Sequence, residues 1–320
     1  MRAPFQLDLH VPNFNWPDTP PEAFFDTLVD IALTAERSGF SSISMMDHLH
    51  QIPGVGPADN WMMEGNAILA ALGARTSTIH LGLLVGGVTY RNPALLAKQT
   101  TTIDVISGGR AVLGLGAAWY EAEHVAYGFD FPPLKERFER LEDALRIARA
   151  MFTEEVASVV GTHYRVDGAF NNPKPIRGDI PILIGGSGER KTLRFVARYA
   201  DGSNLFGDVE RVRHLLRVLE GHCADVGRDP AEITKTRMGR LYIASTHEAA
   251  EAKFAPDLER APDRERARAT AFVGDPDSVA AQVAEYLDAG LDGVTLSLPD
   301  VHDLETVALA GATLAPLIAR

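Results

Sequence analysis

The sequence contains very little cysteine, and this excludes several kinds of site. Cys223 is the only cysteine in the 320 residues, so an internal disulfide and a cysteine-based metal cluster are both excluded. Basic side chains are also in the minority, because 31 lysines and arginines stand against 43 acidic residues. The formal net charge of -12 argues against binding to nucleic acid or to an anionic membrane.

Long apolar runs are missing as well. No stretch approaches the roughly 18 consecutive apolar residues of a membrane helix. The N-terminal segment MRAPFQLDLHV contains no apolar core of the length found in signal peptides. We therefore expect a cytoplasmic protein. The remaining composition, 46% hydrophobic and 23% charged, is typical of a globular chain with a large core.

Short apolar runs alternate with amphipathic segments along the whole chain. Buried strands are predicted at 5–11, 41–46, 79–85, 111–115, 182–184, 202–206, 236–244 and 293–298. Repeated alternation of strand and helix is typical of βαβ units and a parallel sheet. We therefore predict an α/β fold, a (β/α)8 TIM barrel forming one domain over residues 1–320, because such a barrel needs about 250 residues.

Two segments do not fit the repeat and predict insertions. Residues from about 153 to 175 contain strand-like pieces, which indicate a hairpin outside the main sheet. Residues from about 247 to 272 are highly charged and indicate an exposed insertion. An open, doubly wound sheet is the alternative fold, but no G-x-G-x-x-G motif follows the first strand.

The most informative stretch is GGRAVLGLGAAWYEAE, from Gly108 to Glu123. The buried strand predicted at 111–115 closes on Gly116, and Ala117 follows before a helical pattern begins. Glycine there allows a flat ligand to approach the backbone, because no Cβ stands in the way. Close packing of a helix on a strand explains the same residues equally well. Trp119 is either an anchor in the core or a wall against a planar ring.

In such folds the active site lies at the carboxyl ends of the barrel strands. The sequence at one of these ends predicts an anion site. Gly185, Gly186, Ser187 and Gly188 follow a buried strand and precede a helix. Free N–H groups and the helix dipole favour a phosphate at such a turn. The alternative is an ordinary turn between strand and helix.

A second candidate site lies at Asp47 and His48, which end the second predicted strand. The two residues are an acid/base pair, or His48 is a neutral hydrogen-bond donor beneath a ligand, or it is a buried histidine with a structural role. A metal site is disfavoured, because His48 and His50 lack a third ligand at suitable spacing. We interpret three acids as solvated or helix-start residues: Glu64, Glu121 and Glu123.

Several motifs, taken in order, resemble one known family. They are SISMMDH at 42–48, LGLLV at 81–85, RNPALLAKQ at 91–99, DVISGGRAVLGLG at 104–116, PILIGGSG at 181–188, ARYADG at 197–202, VGDPDSV at 273–279 and DAGLDGV at 288–294. Together they resemble the bacterial luciferase-like superfamily, in the branch of F420-dependent oxidoreductases common in actinobacteria. The resemblance covers nearly the whole chain.

The resemblance implies a barrel with a flavin or deazaflavin in its mouth. His48 would lie near the reacting edge of the ring, and a bulge at Leu84 and Val85 would press on its centre. In deazaflavin-dependent members the matching peptide bond is cis. The implied catalytic residues are His48 and Trp119, and the implied cofactor-binding residues are Asp47, Leu84, Val85, Gly116, Ala117, Gly185, Gly186, Ser187, Phe206 and Gly207.

Trp119 marks a departure from the family. Where sugar-phosphate dehydrogenases of the family carry a catalytic glutamate, this chain has Trp119. Their proton chemistry and their substrate are therefore not carried over.

The leading hypothesis is an F420-dependent oxidoreductase that transfers a hydride between the deazaflavin and a small organic substrate. The alternatives are an FMN-dependent luciferase-like monooxygenase and a flavin-binding protein without catalysis. A basic groove for the polyanionic F420 tail would favour the first hypothesis. Its candidates, otherwise a solvated helix face, are Lys135, Arg137, Arg140, Arg190 and Lys191. We also expect a homodimer; the substrate and the direction of transfer stay open.

Overall fold

A parallel barrel of eight strands forms the centre of the computed structural model, which describes residues 3–318. In chain order the strands are β1 (Leu7–Val11), β2 (Ser42–Met45), β3 (His80–Leu83), β4 (Gly86–Gly87), β5 (Ala111–Gly116), β6 (Ala157–Val160), β7 (Arg165–Ala169), β8 (Ile182–Gly185), β9 (Gly202–Leu205), β10 (Thr234–Ile243), β11 (Phe272–Gly274) and β12 (Gly293–Ser297). The barrel order is β1-β2-β3-β5-β8-β9-β10-β12, and β12 pairs with β1. The predicted (β/α)8 barrel is confirmed, and the doubly wound alternative is wrong.

Helices surround the barrel. Within residues 3–318 they are α1 (Pro21–Arg37), α2 (Gly65–Gly73), α3 (Pro93–Ser107), α4 (Glu121–Tyr127), α5 (Leu134–Thr153), α6 (Thr192–Tyr199), α7 (Val209–Val226), α8 (His247–Arg260), α9 (Arg264–Thr270), α10 (Pro276–Asp288) and α11 (Leu304–Ile318), with a 3-10 turn at Pro230–Glu232. No helix in this part of the chain is both long and apolar enough to cross a membrane.

Helix α3 shows how the local sequence sets the ends of a helix. Asn92 caps its start, because the side-chain oxygen accepts a hydrogen bond from the backbone N–H of Ala94 at 2.9 Å. Pro93 occupies the first turn, where its missing N–H costs nothing. Gly108 ends the helix in the left-handed conformation with φ 71°. The local sequence therefore sets both the start and the end of α3.

Strand β1 shows how the barrel wall is built. All of its residues are buried, but alternate side chains face opposite sides of a strand. Leu7 and Leu9 join the apolar layer between strands and helices. Asp8 instead accepts hydrogen bonds inside the barrel from the hydroxyls of Ser42 and Ser44 on β2. The interior on this side is therefore polar.

The opposite side of the interior is apolar. Phe5, Val112 and Leu183 form a small buried cluster there, and Leu84 and Val85 pack against it. A ligand in the mouth of the barrel thus has an apolar wall near β3, β5 and β8, and hydrogen-bonding groups near β1 and β2.

The two predicted insertions have different structures. β6 and β7 pair as an antiparallel hairpin in a sheet of their own, as expected. The segment predicted to be an exposed insertion is mostly exposed and forms α8 and α9, of which α8 buries Ala250 and Phe254. It packs on the extended end of β10, which pairs with β11. Because this segment is highly charged, its sequence did not reveal the apolar face formed by Ala250 and Phe254. The assignment of both segments to a single domain stays a proposal.

Candidate active site

The residues implied to bind the cofactor lie along one arc of the barrel mouth. They follow or end β2, β3, β5, β8 and β9, which are consecutive neighbours in the barrel. Because parallel strands end on the same side, this arc forms a continuous rim. The structure brings these residues together, although they are far apart in the sequence.

The peptide bond between Leu84 and Val85 is cis, as the family resemblance implied. β3 ends at Leu83, and the chain then pairs again with β5 through β4, where Gly87 lies opposite Gly116. Gly86 and Gly87, which form β4, therefore continue the barrel wall.

Val85 is surrounded by glycines of the neighbouring strands. A Cβ added at Gly116 would lie 2.9 Å from the Val85 side chain, and one added at Gly185 would lie 3.0 Å from it. A Cβ at Gly114 would lie only 1.8 Å from the carbonyl oxygen of Leu83. Close packing explains Gly114, whereas Gly116 and Gly185 keep the surface around Val85 low enough for a flat ring.

The turn after β8 is held against the end of β9. The backbone N–H of Phe206 donates to Ser187 Oγ at 2.9 Å, and the N–H of Gly186 donates to the carbonyl of Asn204 at 3.1 Å. The N–H groups of Ser187, Gly188 and Gly207 donate to no acceptor among residues 3–318. These neighbouring free donors suit a phosphate group.

His48 is paired with a carboxylate that the sequence interpretation missed. Glu123 is fully buried, and its Oε1 lies 2.7 Å from His48 Nδ1. The N–H of Leu49 donates to Oε2 at 2.7 Å, and the hydroxyl of Tyr90 also donates to this carboxylate. Glu123 lies in the first turn of α4, as a helix-start acid was expected to do, but it is buried and not solvated.

The ionisation of Glu123 is stabilised by its partners. Burial opposes it, but hydrogen bonds from His48, Tyr90 and the N–H of Leu49 lower the pKa of Glu123 below its ordinary value. Because an ionised carboxylate only accepts hydrogen bonds, it keeps the proton of His48 on Nδ1. The other ring nitrogen, Nε2, has no partner within the described residues and is free to contact a ligand.

Trp119 lies beside His48 on the surface of the mouth. Its side chain is 59% exposed, so its interpretation as a core anchor is wrong. The indole stacks on Tyr120 with ring centroids 5.2 Å apart, and it meets the His48 ring edge-on at 5.5 Å. The preceding residue, Ala118, has a φ of 59° and its carbonyl accepts a hydrogen bond from Arg137. This geometry fits an aromatic wall beside His48.

Asp47 fixes the backbone next to the cis bond and does not face the mouth as a free acid. Arg91 donates to its two oxygens at 2.7 and 2.8 Å, and the N–H of Gly87 donates at 3.0 Å. Glu64 caps α2, as a helix-start acid was expected to do, and also accepts from Arg91. Asp47 thus supports β4, and we assign it a structural part in the site.

The proposed basic groove is only partly available. Arg137 donates to backbone carbonyls, and Arg140 pairs with Glu136 at 2.6 Å. Lys191 lies over the ring of Phe138 at 5.1 Å. Arg190 is exposed and has no partner within residues 3–318. The candidates beside the turn after β8 are therefore better placed for an anionic tail than those on α5.

A cavity of about 1000 Å³ adjoins this arc on the other side of the mouth. Phe206 and Gly207 contribute to its wall, together with the ends of β10 and β12 and the α8–α9 segment. This volume is sufficient for a small organic substrate. In the described residues no group of His, Cys, Asp and Glu side chains is arranged to hold a metal ion.

Comparison with known proteins adds a family. Residues 5–263 match the family model of luciferase-like monooxygenases. The chain is 28% identical over 315 residues to an F420-dependent glucose-6-phosphate dehydrogenase of Segniliparus rotundus, covering 90% of this chain and 92% of the relative. It is 30% identical over 325 residues to F420-dependent glucose-6-phosphate dehydrogenase 1 of Rhodococcus jostii, covering 90% and 93%.

Solved structures share the architecture. The coenzyme F420-dependent tetrahydromethanopterin reductase of Methanopyrus kandleri superposes with a TM-score of 0.80 at 18% identity, covering 99% of this chain and 100% of the reductase. At this identity the likeness concerns the fold alone.

Proposed function

Because this chain belongs to the luciferase-like monooxygenase family, we propose that it is an F420-dependent oxidoreductase acting on a small organic substrate. The observation that carries the proposal is the pairing of His48 with buried Glu123 at the edge of a glycine-lined apolar wall. The two curated relatives described above are named as F420-dependent dehydrogenases.

The residues present fit a deazaflavin. Gly116 and Gly185 leave the surface around Val85 low, so a planar ring can lie against it. The free N–H groups of Ser187 and Gly207 suit the phosphate. When bound, the cofactor supplies the hydride donor or acceptor. The chain itself binds it, excludes water and handles the accompanying proton.

The residues of this chain must accept or donate the proton that accompanies hydride transfer. Oxidation of an alcohol releases a hydride from carbon and a proton from oxygen. We assign His48 Nε2 as the acceptor of that proton, since Nδ1 is engaged by Glu123 at 2.7 Å. The Glu123 carboxylate then stabilises the positive charge on the ring. In the reverse direction the same ring donates the proton to a carbonyl.

The test of this function is titration of the cofactor-free protein with F420 and, separately, with FMN. We expect saturable binding of F420 at micromolar or lower concentration and much weaker binding of FMN. Preference for FMN would replace the proposal with the monooxygenase alternative. Binding of either cofactor without turnover of any substrate would favour the non-catalytic alternative.

A substrate panel completes the test. Glucose 6-phosphate is the first member, because it occurs in the names of the curated relatives. Small secondary alcohols and the matching ketones are the others. We expect turnover of a substrate other than glucose 6-phosphate, since exposed Trp119 lies beside His48 in place of an acid. The absorbance of the oxidised deazaflavin measures the reaction in both directions.

The assembly and location are also proposals. We propose a single-domain protein that forms a homodimer and acts in the cytoplasm, without nucleic acid or membrane partners. Several large apolar side chains are exposed and are available for a subunit interface, among them Leu95, Val125, Leu134 and Phe170. Light scattering on the purified protein measures the subunit number, and a monomeric mass would contradict the dimer.

A further inference from the structure

The polar side of the barrel contains two ionisable groups that the reaction described above does not use. Asp8 and His10 point into the barrel from β1 and are 0% and 4% exposed. Ser44 of β2 lies between them. Its hydroxyl oxygen is 2.6 Å from Asp8 Oδ2 and 3.0 Å from His10 Nδ1. The three side chains form an unbroken hydrogen-bonded row that leads from the interior toward the carboxyl end of β1.

The single hydroxyl proton of Ser44 determines the tautomer of His10. While Asp8 is ionised, Ser44 donates to Asp8 and accepts from His10, so the ring proton lies on Nδ1. When Asp8 is protonated, it donates to Ser44, Ser44 donates to Nδ1, and the ring proton lies on Nε2. His10 Nε2 has no hydrogen-bond partner among residues 3–318. It therefore changes from an acceptor to a donor.

The surroundings keep this row nearly free of other charges. Ser42 donates to Asp8 Oδ1 at 2.8 Å, and Thr295 of β12 contributes a further hydrogen bond. Asp8 forms no ion pair with any described residue. His48, with its partner Glu123, is the titratable group that acts on His10 from the end of β2.

Burial sets the ionisation of both ends of the row. It raises the pKa of Asp8 to about 6, although the three hydroxyl partners act in the opposite direction. Burial, with a smaller contribution from His48, lowers the pKa of His10 to about 3. Near neutral pH the imidazole of His10 therefore stays uncharged while Asp8 gains or loses its proton.

We propose that Asp8, Ser44 and His10 form a proton relay that ends at His10 Nε2 in the mouth of the barrel. Oxidation of a substrate alcohol breaks its O–H bond and places the proton on His48 Nε2; when that N–H bond breaks, the proton passes on to His10 Nε2. The His10 Nδ1 proton passes to Ser44, and the Ser44 proton passes to the Asp8 carboxylate. The substrate gains a C=O bond, His48 is neutral again, and the His10 imidazole is neutral before and after. The reverse steps deliver a proton to a carbonyl.

The catalytic use of the relay rests on the proposed function, but the relay itself is a property of the protein alone. It is tested by NMR of the cofactor-free full-length protein labelled with ¹⁵N-histidine, between about pH 5 and 8. We expect a neutral His10 ring whose proton lies on Nε2 at the acid end and on Nδ1 at the basic end, with a midpoint near pH 6. The signals are assigned by their loss in His10→Gln.

Two variants separate the relay from a structural role. In Asp8→Asn the tautomer of His10 should no longer change with pH, because an amide in place of the carboxylate cannot take up or release the proton. In Ser44→Ala the change should also vanish, although Asp8 still titrates. The proposal is overturned if His10 keeps one tautomer in the wild-type protein, becomes an imidazolium near pH 6, or still switches in Asp8→Asn. Because no cofactor is present, these outcomes are independent of the cofactor titration.

Discussion

Burial acts in opposite directions on two neighbouring ionisable residues of β1. An acid without a cationic partner binds protons more tightly when buried, and a buried histidine binds them less tightly. Asp8 and His10 differ in this way and lie one hydroxyl apart. Their effects on the pH dependence of folding therefore have opposite signs, and single substitutions should reveal them.

Between about pH 4 and 6, folded protein keeps a proton on Asp8 that the unfolded chain has lost, since the pKa of Asp8 is raised to about 6. Acidification through this range therefore stabilises the fold. The pKa of His10 is lowered to about 3, so here the unfolded chain gains a proton that the folded protein lacks, and acidification destabilises it. Each effect amounts to about 1.4 kcal/mol per pH unit, and in the wild type they cancel.

We expect Asp8→Asn to lose roughly 3 kcal/mol of unfolding free energy between pH 6 and pH 4 relative to wild type. We expect His10→Gln to gain a similar amount over the same range, because only the Asp8 effect remains. Urea unfolding at several pH values measures both, and the double variant serves as the control with wild-type pH dependence. Parallel curves for the two single variants would contradict the assignment.

Glu123 allows a second test with a single substitution. Glu123→Gln keeps the size of the side chain but removes the charge that stabilises a protonated His48 ring. We expect kcat to fall on the order of 100-fold with the substrate found by the panel, while the Kd of the cofactor changes little. Tyr90→Phe is the matched control, because it removes one hydrogen bond to Glu123 and leaves the contact with His48 intact. Equal kcat values for Glu123→Gln and wild type would exclude the proton role.

Strands and helices were largely predictable because their signals are local. The start and end of α3 depend on Asn92, Pro93 and Gly108, all within the same segment. The pairing of Glu123 with His48 joins residues 75 positions apart, and nothing in the local pattern distinguishes Glu123 from exposed Glu121. The apolar contacts of α8 were missed for a related reason, since Ala250 and Phe254 stand in a charged sequence.

The turn after β8 is best tested at Gly185. Gly186 has a φ of 116°, so any side chain there is strained whatever its effect on a ligand. At Gly185 the backbone is not strained, but a Cβ would lie 3.0 Å from both methyl groups of Val85. We expect Gly185→Ala to weaken F420 binding at least tenfold, about 1.4 kcal/mol, at a cost of about 1 kcal/mol in stability.

Gly221→Ala provides the control for this prediction. Gly221 lies on α7 with no atom within 4 Å of an added Cβ. Alanine should leave cofactor binding unchanged and stabilise the helix by up to about 1 kcal/mol. Isothermal titration and thermal unfolding measure both variants. Wild-type affinity in Gly185→Ala would remove this strand end from the cofactor site.

At the scale of the whole molecule, the barrel explains why distant segments meet at one rim. The order of strands in the barrel places the ends of β2, β3, β5, β8 and β9 side by side. The alternation of strands and helices in the sequence was sufficient to predict this arrangement. The contacts that hold the outer helices against the barrel could not be predicted from the sequence. Arg237 is the main example, because an arginine in a strand gives no sign that it will be 1% exposed.

Arg237 joins three regions and forms no ion pair with a carboxylate of residues 3–318. It donates to the carbonyls of Gly207 and Thr270, and its guanidinium lies 4.7 and 4.5 Å from the rings of Phe272 and Tyr286. Its Nη1 is buried without a hydrogen-bond partner among the described residues. Burial lowers the pKa of Arg237, so the buried charge reduces the free energy of unfolding.

Two substitutions at Arg237 distinguish the charge from the packing. Lysine keeps a charge but cannot lie flat between two rings and reach both carbonyls, so we expect Arg237→Lys to lose roughly 3 kcal/mol of unfolding free energy. Arg237→Met removes the buried charge and keeps most of the apolar contact, so it should cost less than lysine. Arg194→Lys, on an exposed face of α6, should stay within about 0.5 kcal/mol of wild type. Urea unfolding ranks the three variants, and a methionine variant less stable than the lysine variant would show that the hydrogen bonds of the guanidinium outweigh the cost of burying its charge.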